Sequence, residues 1–140
     1  MSKEAKKVAK IIVIDETGSY LLLRRSDHPA FGNDPDLPGG TLEEGESTLE
    51  TMVREVEEEA GLKIDASRVQ EIYSGTDYSE HGTHYVLYVT NLDARPEVVL
   101  SWEHASFEWL PRDKFIEQLR HTKDTYMHMA GDVVAALDEV

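Results

Sequence analysis

The first regular feature along the chain is a β-branched, apolar run from Lys10 to Asp15. After the polar stretch Glu16-Thr17-Gly18-Ser19 comes a second apolar run that turns basic, Tyr20 to Arg24. Two such runs across a short glycine-containing turn predict a β-hairpin. Ser26 to Asp36 is rich in Pro, Gly, Asp and Asn and predicts a loop, closed by Leu37-Pro38-Gly39-Gly40. The period then changes. Leu49, Met52, Val53, Val56 and Ala60 recur at i, i+3, i+4, i+7 and i+11, one apolar face of a helix. Ser47 and Glu50 have capping-box spacing, and Gly61 stands where a left-handed cap is favoured. The pattern predicts a helix over Thr48 to Ala60.

Beyond it, Val69 to Ser74 and His84 to Val89 predict strands joined by the polar stretch Gly75 to Gly82. Phe107 to Leu110 predicts a short strand. Pro111 can open a helix that turns Phe115, Ile116 and Leu119 inward. Thr125 to Leu137 reads as a last helix, weakened by Gly131. There is no internal repeat, low-complexity stretch or linker. Strands and helices mix without a regular βαβ alternation, so the expected class is α+β, a mixed sheet covered by helices.

Composition narrows the function. The 140 residues, 40% of them apolar, suit one domain with one core, spanning 1–140. Fourteen Lys and Arg face 28 Asp and Glu, a net charge of −14. That excess argues against binding a nucleic-acid backbone or an anionic membrane, which need a basic face. It would also repel a phosphorylated substrate unless cations bind first. With no cysteine, disulfides, thiolate metal sites and a Cys nucleophile are excluded. The apolar run Ile11 to Ile14 is too short for a signal peptide core or a membrane span. A soluble, cytoplasmic protein is expected, as monomer or homodimer.

The chemistry concentrates on the central helix and its approach. Glu43, Glu44, Glu46, Glu50, Glu55, Glu57, Glu58 and Glu59 crowd into 17 residues, with Arg54 the one base among them. On a helical wheel Glu55, Glu58 and Glu59 share roughly a 100° arc that flanks the apolar face, while Glu57 falls on the other flank. Like charges on adjacent turns repel, by a few tenths of a kcal/mol per exposed pair and more when partly buried. Divalent cations offset that cost: Mg²⁺ takes oxygen ligands and bridges carboxylates to substrate phosphates. Metals would also convert a repulsive pocket into an anion receptor.

Gly40, five residues, Glu46, seven residues, then Arg54-Glu55-Val56-Glu57-Glu58-Glu59-Ala60-Gly61-Leu62 resembles the Nudix hydrolase signature GX5EX7REUXEEXGU. Every fixed position matches across these 23 residues, with Val56 and Leu62 in the aliphatic places. The resemblance implies an α/β/α sandwich on a mixed sheet. It implies Mg²⁺- or Mn²⁺-dependent hydrolysis of a nucleoside diphosphate linked to a further moiety. Glu55, Glu58 and Glu59 would be metal ligands, joined by the Gly40 carbonyl. Arg54 would orient the glutamates through ion pairs, anchored by Glu46, and a guanidinium fork suits that task better than lysine. Gly39 and Gly61 would support the site. Glu103, in Ser101-Trp102-Glu103-His104 before the strand Phe107 to Leu110, is the candidate for a further ligand or the catalytic base. Glu58 and Glu103 both stay open as general base.

Substrate contacts are less defined. Arg24 and Arg25 end a strand, so one of the two is expected to face a phosphate. Tyr78 lies near the place of a tyrosine common in dinucleoside polyphosphate hydrolases, and Tyr73, Tyr85, Trp102 and Trp109 are further aromatics able to stack on a base. His28, His81 and His84 fall in or near loops. Marks of the ADP-ribose, NADH and coenzyme A subclasses are missing; the ADP-ribose class proline is replaced by Asp77. Nucleoside triphosphates, including oxidised ones, and dinucleoside polyphosphates remain. The competing expectation is a catalytically idle nucleotide-binding module of the same fold.

Overall fold

The computed structural model describes residues 6–26, 32–42 and 45–137. His28, Glu43 and Glu44 lie outside the described residues. Strand β1 (Lys7–Ile14) is the axis of a mixed sheet. It runs parallel to β6 (His84–Asn91) from Lys7↔His84 to Ile14↔Asn91. On its other edge it meets two partners in succession. Its first half pairs antiparallel with β4 (Gly39–Leu42), and its end pairs with β2 (Tyr20–Arg25) at Ile14↔Tyr20. The expected hairpin is therefore present but opens at once. β2 leaves β1 to pair with β3 (Pro35–Asp36) and β7 (His104–Leu110), while β5 (Gln70–Gly75) extends the far edge beyond β6. Pro38 fills the fork, its carbonyl accepting from the Ile11 N–H at 3.0 Å. The gap between the splayed strands becomes the site described below.

The hairpin turn is held by a carboxylate. Asp15 Oδ1 accepts from the backbone N–H groups of Thr17 (2.8 Å) and Ser19 (2.9 Å), and Oδ2 from Arg95 Nε (2.6 Å). Burial would raise this acid, but the Thr17, Arg95 and Ser19 bonds outweigh it and hold it near 2.

Both faces of the sheet are covered, which is why β1 reads as a continuous apolar run. Ala9, Ile11, Val13, Leu21 and Leu23 pack with Met52, Val56 and Ala60 of α1 (Thr48–Ala60). Ile12, Ile14, Leu22 and Leu87 pack with α2 (Arg112–Arg120) and α3 (Thr125–Ala136) through Phe115, Leu119, Met127 and Val134. The result is an α/β/α sandwich. Gly131, expected to weaken α3, is where that helix touches α2: a Cβ there would stand 3.1 Å from Arg120 Cγ and 3.4 Å from Leu119 Cβ.

Two expectations change, and one element is added. The capping box is not formed: Ser47 occupies the N-cap position but makes no side-chain capping bond. Glu46 instead ties down the first turn, its Oε2 accepting from Thr51 Oγ1 at 3.2 Å. Strand β7 begins at His104, three residues before the apolar run, because its pairing with β2 continues to Arg25↔His104 along residues left exposed. A 3₁₀ turn, Ala66–Arg68, capped by Asp65, precedes β5. Among the described residues no helix is long and apolar enough to cross a membrane.

Candidate active site

The site starts from the end of α1. Gly61 closes the helix in the left-handed region (φ 69°), its N–H donating to the Glu57 carbonyl at 2.9 Å. Two of the last carbonyls are capped from outside: Val99 N–H donates to Ala60 O, and Ser101 N–H to Glu59 O, both at 2.9 Å. These bonds pin the segment before β7 against the helix terminus. The His104 N–H folds back to Ser101 O (3.3 Å), and the Glu103 carbonyl accepts from Ser26 N–H (2.9 Å). Glu103, far from the signature in sequence, is thereby fixed beside it. The negative end of the helix dipole points here too, and α1 carries no base in its last turn.

The three glutamates occupy different environments. Glu59 is buried, at 6% exposure, and its Oε2 accepts from the Gly39 N–H at 2.8 Å. Burial pushes its carboxyl up to about 7, against the pull of that bond and of Lys10 and His104. Gly39 can reach it only because it lacks a side chain. Its φ is 133°, and a Cβ would come within 2.3 Å of the Ala9 carbonyl. Glu55 is half-buried against Gly40, where a Cβ would sit 3.7 Å from Glu55 Oε2. Burial raises Glu55 as well, and the charges of Glu58, Glu103 and Glu46 add to the rise while Arg54 opposes it. Glu58 is exposed and pairs with Arg54 at 3.1 Å. Arg54 also reaches Glu46 and Glu55, each at 3.5 Å. One exposed guanidinium thus holds three carboxylates in a row.

A cavity of about 610 Å³ opens at the fork in the sheet. Gly39, Gly40, Glu59, Glu103, Arg25 and Asp124 are among its lining residues. Its floor is a buried ionic network centred on Asp36. Lys10 Nζ (2.5 Å), Arg25 (3.2 Å) and His104 Nε2 (2.8 Å) converge on this carboxylate, and the Leu37 N–H donates to it at 2.9 Å. Burial alone would raise Asp36, yet Lys10, His104 and Arg25 together hold it well below the usual carboxylate range. Arg25 continues to Asp124 at the N-cap of α3 (3.0 Å).

The structure therefore sorts the sequence candidates. Glu46, Arg54, Glu55 and Glu58 form one ion-paired row. Glu59, Gly39, Gly40 and Glu103 line the cavity. Gly61 positions the helix end. Of the two arginines Arg25 lines the cavity and Arg24 does not, as alternation along a strand expects. Arg24 points instead to Glu108 (3.3 Å) and Gln118 (2.8 Å), so the expectation of a phosphate contact does not fit it. Tyr78 is not at the cavity either. It packs edge-on against Tyr73, and its hydroxyl donates to Asp132 on α3 at 2.8 Å. His84 is bonded to Ser74 (2.6 Å), and His81 lies on a separate shallow depression with Lys123. Lys10, Asp36 and Asp124 were not singled out from the sequence. A lone lysine inside a buried apolar run was the available signal for the first.

The donors suit a hard divalent ion: carboxylates of graded burial, a glycine beside one of them, and one mobile-length arginine as the present counter-charge. Among the described residues no three acids or histidines already converge to metal-ligating geometry. Glu55 and Glu58 are both ion-paired with Arg54.

The chain matches the NUDIX domain model over residues 5–129. It belongs to the Nudix family. It is 32% identical over 117 residues to the asymmetrical bis(5'-nucleosyl)-tetraphosphatase of Sus scrofa, covering 79% of this chain and 76% of that one. It is 36% identical over 81 residues to an ADP-ribose pyrophosphatase of Methanocaldococcus jannaschii, covering 58% and 47%. The chain spans about half the length, or less, of several curated relatives it matches (46%, 47% and 40%). In fold it is similar to the MutT protein of Methanosarcina mazei Go1, with a TM-score of 0.72 and 25% identity over 96% of this chain and 94% of that one.

Proposed function

We propose that the chain, read as a single domain over 1–140, is a Mg²⁺- or Mn²⁺-dependent pyrophosphohydrolase acting on a nucleoside diphosphate linked to a further moiety. Nucleoside triphosphates, oxidised ones included, and dinucleoside polyphosphates are the preferred substrates, in the cytoplasm. The observation that supports this reading is the complete signature in the sequence, with its Gly40 and Glu59 lining one cavity together with Glu103 and its Glu46, Glu55 and Glu58 gathered on Arg54. The named activities of relatives, on 8-oxo-dGTP, ADP-ribose and bis-nucleosyl tetraphosphate, support the reaction class and leave the substrate open among them.

In this reading Glu55, Glu58 and Glu59, with the Gly40 carbonyl and Glu103, would hold the metal. When bound, the ion neutralises phosphoryl oxygens and lowers the pKa of the attacking water. Arg54 keeps Glu46, Glu55 and Glu58 aligned. Gly39 fixes one oxygen of Glu59 and leaves the other free. The proton of the attacking water passes to a carboxylate oxygen of Glu58 or Glu103. The water oxygen bonds to phosphorus, and the bridging oxygen departs with the electron pair of the broken anhydride bond.

The test is a nucleotide panel assayed with Mg²⁺, with Mn²⁺ and with chelator. Turnover is expected only with metal, and Glu58→Gln is expected to lower kcat by about 10³-fold or more with an unchanged circular dichroism spectrum. Turnover in chelator, or full activity in Glu58→Gln, contradicts the assignment. Nucleotide binding without product across the panel favours the idle module.

A further inference from the structure

Trp102 is the most exposed large hydrophobic residue among those described, at 86%. Large aromatic side chains are normally buried for most of their area. Yet Trp102 lies on the wall of the cavity, next in sequence to Glu103. Its backbone is not loose. Ser101 is bonded to the end of α1, Glu103 N–H donates to Ser101 Oγ (3.4 Å), Glu103 O accepts from Ser26, and His104 folds back on Ser101. The ring is thus carried on a fixed support at the mouth of a polar site.

We propose that Trp102 is the stacking platform for the nucleobase of the substrate, a specificity-determining residue outside the signature. This rests on the nucleotide reading above. The argument is by charge and by elimination. A wall of carboxylates can receive a phosphate only through cations, so the remainder of the ligand must be held by something independent of charge. A ring face supplies that, and every base has a π-face to offer. Among the described residues the other aromatics lining the cavity cannot. Tyr126 is 2% exposed with its hydroxyl donating to Val86 O, and Tyr85 is buried with its hydroxyl bonded to Thr125 Oγ1. Because the support is already ordered, stacking fixes little more than the indole torsions, which favours affinity. The preference is for a base of large area over a base-free polyphosphate, with little discrimination by hydrogen bonding.

The chain has two tryptophans, and Trp109 lies on β7 under the Arg95 guanidinium, 5.4 Å from its ring centre. Trp109→Phe therefore leaves Trp102 as the sole indole emitter. This variant is titrated with the eight common ribo- and deoxyribonucleoside triphosphates, an oxidised deoxyguanosine triphosphate, a dinucleoside tetraphosphate and inorganic tripolyphosphate, all with Mg²⁺, using free tryptophanamide as the inner-filter control. Quenching of Trp102 by at least one nucleotide, and none by tripolyphosphate, is expected. In steady-state assays of any hydrolysed nucleotide, Trp102→Ala should raise KM about tenfold with kcat within about twofold, and Trp102→Phe should restore most of the loss. A nucleotide that is turned over without changing Trp102 emission, equal quenching by tripolyphosphate, or an unchanged KM in Trp102→Ala overturns the proposal. Quenching without turnover keeps it and rejects the hydrolase reading. Neither quenching nor turnover rejects both.

Discussion

Glu59 shows how a single residue stores the tension between folding and function. It is buried beside a backbone donor, and its carboxyl is held near pH 7 chiefly by burial. An unfolded glutamate titrates near 4.5. Between those values the folded chain keeps a proton that the unfolded chain has lost. Stability of the metal-free protein should therefore fall as pH rises from about 4.5 to about 7 and stay low above it, by up to about 3 kcal/mol from this group. Glu59→Gln removes the charge and keeps an acceptor for Gly39. Urea unfolding of chelator-stripped protein should show the variant equal to the parent near pH 4.5 and more stable by about 1–3 kcal/mol at pH 8. An equal difference at both pH values would remove burial of the charge as the cause. The helical wheel placed Glu59 on a flank of α1. Its burial follows from β4 folding over that flank, which no property of the helix alone discloses.

At the scale of elements, the short strand β4 does the positioning. Its first two residues are glycines with different reasons. Gly39 touches the β1 backbone so closely that a Cβ would lie 2.3 Å from Ala9 O, at a φ of 133°. At Gly40 a Cβ would meet Glu55 Oε2 at an ordinary 3.7 Å. Gly39→Ala should therefore cost about 2–4 kcal/mol of stability and displace the N–H that holds Glu59, whereas Gly40→Ala should unfold close to the parent. Urea midpoints of the two variants decide this, and equal midpoints would contradict it. The elements themselves were largely legible. For α1 the apolar period, the N-cap position and Gly61 agree, and the bounds Thr48–Ala60 follow from them. Pairing was less so. β1 reads as a strand but not as the partner of β6, β4 and β2 in turn, because hydropathy reports burial and not neighbours. The first half of β7 was hidden by its own exposure. In the site, the signature residues are read from spacing and Glu103 from the family resemblance, and Glu103 does line the cavity with Gly40 and Glu59. Lys10, Asp36, His104 and Asp124 form one network only after β1, β3, β7 and α3 have assembled, so no local pattern joins them.

At the scale of the whole molecule the governing quantity is a net charge of −14. A chain this acidic repels polyphosphates at long range, and the carboxylates around the cavity deepen the repulsion. The positive groups near the site are already committed: buried Lys10 and Arg25 to Asp36, and exposed Arg54 to the glutamates. The protein keeps little free positive charge at the site for a phosphate. The central claim is accordingly that divalent ions held by Glu55, Glu58 and Glu59 supply the missing charge. The most direct measurement is titration of chelator-stripped protein with Mn²⁺ followed by electron paramagnetic resonance. Three proteins are compared: the parent, the triple variant Glu55→Gln, Glu58→Gln, Glu59→Gln, and a charge-matched control with the exposed Glu16, Glu80 and Glu97 changed to Gln. Parent and control should bind Mn²⁺ at a tight, saturable site that the triple variant lacks. Equal binding by all three, or no saturable site in the parent even with a nucleoside triphosphate present, would contradict the account.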